Sequence, residues 1–318
     1  MYRIACLITL CNGWTLKSPT GEYQIMSDMS VGGDGAIYEA IVKKKKDNPD
    51  LMGKQVVVKC ARKGGMTLEY YDEQKKLSEM IMESWAPRLI EYFVSGPTKL
   101  PCIVQERLGS DLGRIRDELF PAKTKLPLET LGSLGVLMVD AIRQLHTKYG
   151  YNHRDLHAGN WMVSSTREQL KLIDFGDAKP YDSAYAQTDL REVAMTIRFM
   201  YDGDHRYYSW KHSGFNKKST CERIPVRVCD ALLHSESAVE YEDLRNIFMD
   251  MIFKAGKSFT GEIIWPIEKF KTPLSYPAAI TFPTSTEAPV LNIEIKKNGQ
   301  ETGLGLVGFV MFNLLLIQ

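Results

Sequence analysis

The chain has 318 residues, of which 44% are hydrophobic and 25% are charged, and its formal net charge is +1. This composition excludes a disordered, collagen-like or polytopic membrane protein, and the balanced charge gives no reason to expect nucleic acid as a partner. The length fits one large domain or two modest lobes. The six cysteines include no C-x-x-C pair, which argues against a zinc site and favours a reducing compartment, the cytoplasm or the nucleus.

The two ends of the chain differ from its middle. We interpret residues 1–21 as an N-terminal extension whose apolar start is an edge strand rather than a signal peptide. Residues 266–318 combine a linker rich in Pro, Ser and Thr with an uncharged apolar tail. Because the tail is slightly too short to span a bilayer, packing on the domain is favoured over membrane contact.

Strand patterns dominate the first part of the chain. Residues 36–43 and 55–60 are rich in β-branched side chains and predict a strand pair. The lysines of residues 43–46 are expected in a solvated loop between these strands. Residues 67–84 carry helix formers with apolar side chains at helical spacing, which predicts a helix. Two short strands are predicted at 88–94 and 102–107.

Helical spacing then replaces the strand pattern. Apolar side chains recur every three or four positions along residues 129–149, which predicts a long amphipathic helix. Strands first and helices later indicate an α+β protein with a β-rich N-lobe over residues 22–108 and a helical C-lobe over residues 109–265. Ligands commonly bind in the cleft between two such units.

Two motifs of the C-lobe carry the chemistry. HRDLHAGN, residues 153–160, follows the long predicted helix, and Asp174 opens DFG after a short apolar segment. One carboxylate of such a set can orient an attacking hydroxyl, while an asparagine and a second aspartate can hold magnesium. The two motifs in this order and at this spacing are highly specific for phosphoryl transfer.

The motifs resemble those of the eukaryotic protein kinase superfamily over about residues 22–255. The stretches QERLGSDLGRI, HRDLHAGN and LIDFGDAK look most like casein kinase I and the vaccinia-related kinases. This resemblance implies a bilobal kinase fold and a Mg²⁺- and ATP-dependent transfer of phosphate to a Ser or Thr hydroxyl of a protein substrate. A small-molecule kinase of the same fold and a pseudokinase scaffold are the alternatives.

The resemblance also implies roles for individual residues. Asp155 would be the catalytic base, and Asn160 and Asp174 would be the magnesium ligands. Lys59 would bind the α- and β-phosphates, because a strand-held ammonium is a point charge suited to phosphate. Its partner on the first helix would be Glu73. A register error of about one turn leaves two other glutamates open, Glu69 and Glu79.

The region around the acceptor departs from the usual kinase pattern. His157 stands where Ser/Thr kinases usually have lysine, and its imidazole could donate a hydrogen bond to the γ-phosphate or be held by a backbone carbonyl. Asp189 matches the buried aspartate that braces the catalytic loop. The chain from Asp174 to Asp189 is short and lacks Ala-Pro-Glu. We therefore expect no regulation through phosphorylation of an activation loop gripped by Arg154.

The remaining predictions concern the nucleotide pocket. SVGGDGAI, residues 30–37, partly matches the glycine-rich loop whose backbone amides approach the phosphates. Gln105 would gate the back of the adenine pocket, and the next residues would bind adenine through their backbone. The residues predicted to bind the cofactor are Gly32, Gly33, Gly35, Ile37, Val57, Lys59, Glu106, Leu108 and Met162.

Overall fold

The N-lobe is a six-stranded antiparallel sheet in the computed structural model, which describes residues 14–32, 35–61, 68–96, 99–119, 125–202 and 238–266. The predicted strand pair and the two later strands are confirmed. The sheet begins within the predicted extension, before residue 22. In chain order, the strands are β1 (Thr15–Lys17), β2 (Gly21–Gly32), β3 (Gly35–Lys45), β4 (Gln55–Cys60), β5 (Leu89–Val94) and β6 (Pro101–Glu106). Their order across the sheet is β1-β2-β3-β4-β6-β5.

Alternation along β4 separates the core of the N-lobe from the cleft. Val56 and Val58 are fully buried in the N-lobe core. Val57 and Lys59 are half-buried, because successive side chains of a strand point to opposite faces. The predicted first helix is confirmed as α1 (Leu68–Met80), and it contacts β5 and β6.

The C-lobe is built around one long buried helix, which confirms the prediction for residues 129–149. Phe248 packs so closely on this helix that a Cβ added at Gly132 or Gly135 would overlap it. The elements are α2 (Leu112–Leu119), α3 (Leu128–Thr147), β7 (Tyr151–Asn152), β8 (Trp161–Val163), β9 (Leu170–Leu172), β10 (Lys179–Pro180), α4 (Ser183–Asp202) and α5 (Tyr241–Lys254). The short strands pair as β7 with β10 and β8 with β9.

No helix in the described part of the chain is both long and apolar enough to cross a membrane. The predicted linker and apolar tail lie outside the described residues, apart from residue 266.

A disulfide joins Cys60 of β4 to Cys102 of β6. The two residues are direct partners in the antiparallel register of these strands, and their Cα atoms lie 4.1 Å apart. Disulfides are uncommon in reducing compartments, and the location expected from the scattered cysteines stays a prediction.

Lys45 lies in a buried polar cluster and not in the solvated loop expected for the lysine run. Its side chain is 1% exposed, and its Nζ lies 3.0 Å from Glu91 and 2.9 Å from Asp47. Lys43 and Lys44 are exposed on the same strand. A register shift between β2 and β3 at Lys43 breaks the strand alternation and places Lys45 on the buried face, where a buried charge needs a partner.

Glu91 joins β5 to the first two strands. Its carboxylate accepts hydrogen bonds from Ser18, Thr20 and Tyr23. Burial raises the pKa of Glu91, but the hydrogen bonds from Tyr23, Thr20, Ser18 and Lys45 outweigh burial, and the net pKa lies below the usual range. Glu91 therefore stays ionised in the folded N-lobe at neutral pH.

Replacing Lys45 by methionine leaves the Glu91 carboxylate buried without its cation. Because breaking a buried ion pair from one side is strongly destabilising, we expect Lys45→Met to lower the free energy of unfolding by about 3 kcal/mol. Lys44→Met makes the same change at an exposed position and should alter it by less than about 0.5 kcal/mol. Denaturant titration measures both variants, and equal small effects would contradict the described cluster.

Candidate active site

Two buried carboxylates of α4 hold the loop that follows β7. Asp189 is 0% exposed, and its oxygens accept the N–H groups of His153 at 2.8 Å and Arg154 at 2.9 Å. The buried Glu192 accepts the N–H of Leu156 at 2.9 Å. The predicted brace by Asp189 is confirmed. Glu192 was not predicted, although it lies three residues later and therefore on the same face of the helix.

Two buried histidines support the same loop. The Nε2 of His153 lies 3.0 Å from the carbonyl oxygen of Ile173, to which it donates. Burial lowers the pKa of His153, so this ring is neutral. The Nε2 of His146 lies 2.8 Å from the Asp189 carboxylate, while its Nδ1 contacts the Tyr241 hydroxyl at 2.8 Å. The loop is therefore fixed to the C-lobe core through both backbone and side chains.

The Asp155 carboxylate is oriented by two neighbours on the same loop. Asn160 Nδ2 donates to the Asp155 carbonyl at 2.8 Å and to its Oδ2 at 3.1 Å. His157 Nδ1 accepts the N–H of Gly159 at 3.0 Å, so the proton of the neutral ring is on Nε2. That Nε2 lies 3.5 Å from Asp155 Oδ2. His157 is thus anchored by a backbone N–H of its own loop.

Lys59 of the N-lobe and Asp174 of the C-lobe form an ion pair in the cleft. Lys59 Nζ lies 2.8 Å from Asp174 Oδ1, and their side chains are 14% and 22% exposed. Asp174 has a left-handed backbone, with φ of 69°, at the start of the short helical turn 175–177. Tyr70 of α1 contacts both groups, at 2.7 Å from Lys59 Nζ and by donating its hydroxyl hydrogen to Asp174.

The predicted walls of the nucleotide pocket lie on strands that border this ion pair. Ile37 of β3 is the register partner of Lys59, and Val57 lies two residues before Lys59 on β4. Both are half-buried, as is Met162 of β8. Half-buried apolar side chains are suited to cover a flat ring.

The end of β6 is tied to both lobes. Glu106 accepts the N–H of Arg88 at 2.8 Å and pairs with Lys171 at 2.9 Å. Leu108 is buried. Gln105, the predicted gate, donates to the Ser78 hydroxyl of α1 at 3.4 Å.

The hairpin of β2 and β3 carries the predicted phosphate loop. Gly32 and Gly35 are register partners at its end, whereas Gly33 lies outside the described residues. Gly35 has a φ of 137°, and a Cβ there would overlap the Cys60 carbonyl and the Tyr71 hydroxyl. Only glycine fits this position.

Comparison with known proteins agrees with this geometry. A family profile described as protein tyrosine and serine/threonine kinase matches residues 23–203. The chain belongs to this protein kinase family. A probable serine/threonine-protein kinase of fowlpox virus is 24% identical over 54% of the chain and 55% of its own length. A probable casein kinase I homolog of Encephalitozoon cuniculi is 28% identical, over 45% of the chain and 46% of its own length.

The kinase chain spans about half the length of these two curated relatives. An uncharacterized protein of Acanthamoeba polyphaga mimivirus is 42% identical, but over only 18% of the chain and 8% of its own length. These relatives support the family and the bilobal α+β fold.

The kinase does not form the predicted pair between Lys59 and Glu73 within the described residues. Glu73 instead pairs with Lys76 at 3.7 Å. Glu69 and Glu79, the alternatives, also pair with other lysines. The side chain of α1 that meets Lys59 is Tyr70, whose ring centre lies 4.9 Å from Lys59 Nζ.

Two oxygen-bearing side chains fit a magnesium site in this kinase. Asp174 offers a carboxylate, and Asn160 offers the amide oxygen left by its two N–H bonds to Asp155. Magnesium keeps several waters and phosphate oxygens when it binds to few protein ligands. The described residues contain no group of three or more His, Cys, Asp or Glu that could hold a metal by themselves.

The segment between the DFG turn and α4 is short, as predicted. After the turn 175–177 the chain forms only β10 before α4 begins at Ser183. The Arg154 guanidinium lies 4.1 Å from the ring centre of Tyr185, in the first turn of α4. This helix therefore takes the place beside the catalytic loop that a longer segment would need.

Asp189→Asn tests the brace on the catalytic loop. An amide NH₂ would face a backbone N–H that now has a carboxylate acceptor, and leaving a buried donor unpaired costs about 1–3 kcal/mol. We expect lower stability to denaturant and faster hydrogen exchange in peptides that cover residues 153–156. Asp177→Asn removes an exposed carboxylate nearby and should change neither measurement. Unchanged exchange in Asp189→Asn would contradict the assigned brace.

Proposed function

We propose that this protein kinase is a Mg²⁺- and ATP-dependent serine/threonine kinase that phosphorylates a protein hydroxyl. The observation that carries the proposal is the convergence of Lys59 and Asp174 in the cleft, with Asp155 and Asn160 on the adjoining loop. These side chains supply a cation for phosphate, oxygen ligands for a metal and a carboxylate for the attacking hydroxyl. Phosphoryl transfer requires that combination of groups.

When bound, magnesium neutralises charge on the phosphates. Asp174 and Asn160 would hold it, and Lys59 would bind the α- and β-phosphates. Adenine would lie between Ile37, Val57 and Met162. These three side chains would give apolar contact on both faces of the ring.

Asp155 acts on the acceptor. The acceptor oxygen forms a bond to the γ-phosphorus while the bond from that phosphorus to the bridging oxygen breaks, and ADP leaves. The hydroxyl proton goes to Asp155, whose carboxylate is held in place by Asn160. The Nε2–H of His157 lies beside Asp155 and is a second hydrogen-bond donor there, in addition to the Asn160 amide.

The names of the relatives support a serine or threonine acceptor. The fowlpox virus protein is described as a probable serine/threonine-protein kinase, and the Encephalitozoon cuniculi protein as a probable casein kinase I homolog. Casein is therefore the generic acceptor of choice.

A small-molecule kinase is the second candidate, and one observation favours it. In protein kinases the chain after DFG carries the acceptor peptide, and here α4 begins at Ser183 soon after the DFG turn. A small hydroxyl compound would need no such platform.

Incubation with labelled ATP and Mg²⁺ tests the proposal, using casein, the kinase itself, or no acceptor. We expect protein labelling that falls about 10²–10⁴-fold in Asp155→Asn, because the catalytic base is lost. Asp243→Asn changes an exposed aspartate of α5 and should label like the wild type.

Equal labelling by Asp155→Asn would contradict the role of this residue. Nucleotide binding without any protein labelling would contradict a protein acceptor and favour the small-molecule candidate. Absence of nucleotide binding would contradict both candidates and indicate a scaffold.

A further inference from the structure

The disulfide between Cys60 and Cys102 lies at the end of the two strands that it joins. Cys60 is the last residue of β4, and Cys102 is the second residue of β6. Next to this pair, the N–H of Ala61 donates to the Pro101 carbonyl at 2.9 Å. The ends of a strand open more easily than its centre. The disulfide therefore fastens the two strands where hydrogen bonds hold them least.

The same end of β4 lies beside the groups proposed to bind phosphate. Lys59 directly precedes Cys60 in the chain. Across the sheet, Ala36 of β3 is the register partner of Cys60. At the end of the β2–β3 hairpin, a Cβ added to Gly35 would overlap the Cys60 carbonyl. The backbone of Cys60 is therefore joined to the lysine and in contact with the hairpin.

The disulfide also closes the loop of chain that carries α1. The two cysteines are 42 residues apart, and α1 and β5 lie between them. Tyr71 of α1 is fully buried, and its hydroxyl is a second group that a Cβ at Gly35 would overlap. Closing a long loop restricts the chain inside it. Opening the disulfide therefore frees the ends of a loop whose helix contacts the hairpin.

The two sulfurs differ in how easily a reagent can reach them. Cys102 is 1% exposed, whereas Cys60 is half-buried. A disulfide is broken when a thiolate attacks one of its sulfurs, so the rate depends on access to that sulfur. We therefore expect attack at Cys60, with the Cys102 sulfur as the leaving group.

We propose that Cys60 and Cys102 form a reversible redox site, whose disulfide holds Lys59 and the hairpin for ATP and whose dithiol form binds ATP more weakly. The reductant is a small dithiol. One of its thiolates attacks the Cys60 sulfur, the disulfide bond breaks, and the Cys102 thiolate leaves and takes up a proton. The second thiol of the reductant then displaces Cys60 as a thiol, and the reductant leaves as a disulfide. The effect on ATP binding rests on the proposed function, whereas the redox chemistry does not.

Differential alkylation tests the redox chemistry and needs no activity. The full chain is oxidised with oxidised glutathione, treated with rising concentrations of dithiothreitol, and trapped with iodoacetamide in denaturant. Mass spectrometry then quantifies the peptides that contain Cys60 and Cys102. We expect both to be protected after oxidation, to become alkylated together while the kinase remains folded, and to be protected again after reoxidation. Alkylation of both after oxidation, or protection at every dithiothreitol concentration, would overturn the redox site.

The effect on the nucleotide is measured by titrating the oxidised and the reduced kinase with a non-hydrolysable ATP analogue and Mg²⁺. We expect reduction to weaken binding by about fivefold or more, which is the usual size of a coupling between two sites. The thermal unfolding midpoint should fall on reduction as well, because the closed loop is opened.

Two serine variants assign the effect to this pair of cysteines. Cys60→Ser cannot form the bond, keeps Cys102 in the core, and should bind like the reduced wild type with or without dithiothreitol. It retains the other five of the six cysteines, so a response of this variant to dithiothreitol would overturn the proposal. Cys221→Ser leaves the bond intact and should respond like the wild type.

The remaining outcomes separate the redox site from its effect on the nucleotide. Reversible alkylation with equal ATP affinity in both states would overturn the proposed control of nucleotide binding. Tighter binding by the reduced kinase would also overturn it, because the disulfide would then restrain the hairpin. If neither state binds nucleotide, the proposed function fails, while the alkylation still decides whether the two cysteines form a redox site.

Discussion

Three backbone N–H groups of the catalytic loop are paired with carboxylates of α4, and the rest of the site depends on this pairing. Buried N–H groups must find acceptors, and Asp189 and Glu192 provide them from one face of the helix. The loop between these anchors has little freedom, so Asp155 is presented at the cleft in a fixed orientation. The same requirement brings α4 close to the DFG turn and leaves little chain between them.

The cleft is electrostatically balanced by residues from both lobes. Lys59 belongs to β4 and Asp174 follows β9, and each is partly removed from water. A charge in such a place needs a partner, and these two residues satisfy one another while Tyr70 bonds to both. The groups proposed for phosphate and for metal therefore stabilise each other, and α1, which carries Tyr70, contacts β5 and β6. The N-lobe and the DFG turn are in this way connected through this polar cluster.

Local patterns predicted most of the fold, and they identified the motifs whose side chains form the candidate site. The β-branched runs, the long amphipathic helix and the HRD and DFG motifs depend on neighbours in sequence, and all appear in the expected places. The side chain that meets Lys59 could not be predicted in this way, because helix rotation and packing decide whether Tyr70 or Glu73 faces β4. The buried position of Lys45 could not be predicted for a similar reason, since it depends on an irregularity in the pairing of β2 with β3. The bond between Cys60 and Cys102 arises from pairing of strands distant in sequence.

The central claim is that the Lys59–Asp174 cluster is a phosphate and metal site. Calorimetric titration of the wild type with a non-hydrolysable ATP analogue, with and without Mg²⁺, tests this claim most directly when it is repeated with Asp174→Asn. We predict that Mg²⁺ strengthens binding to the wild type and that Asp174→Asn loses this dependence on the metal. Binding of the same strength with and without Mg²⁺, or an unchanged metal dependence in Asp174→Asn, would contradict the account.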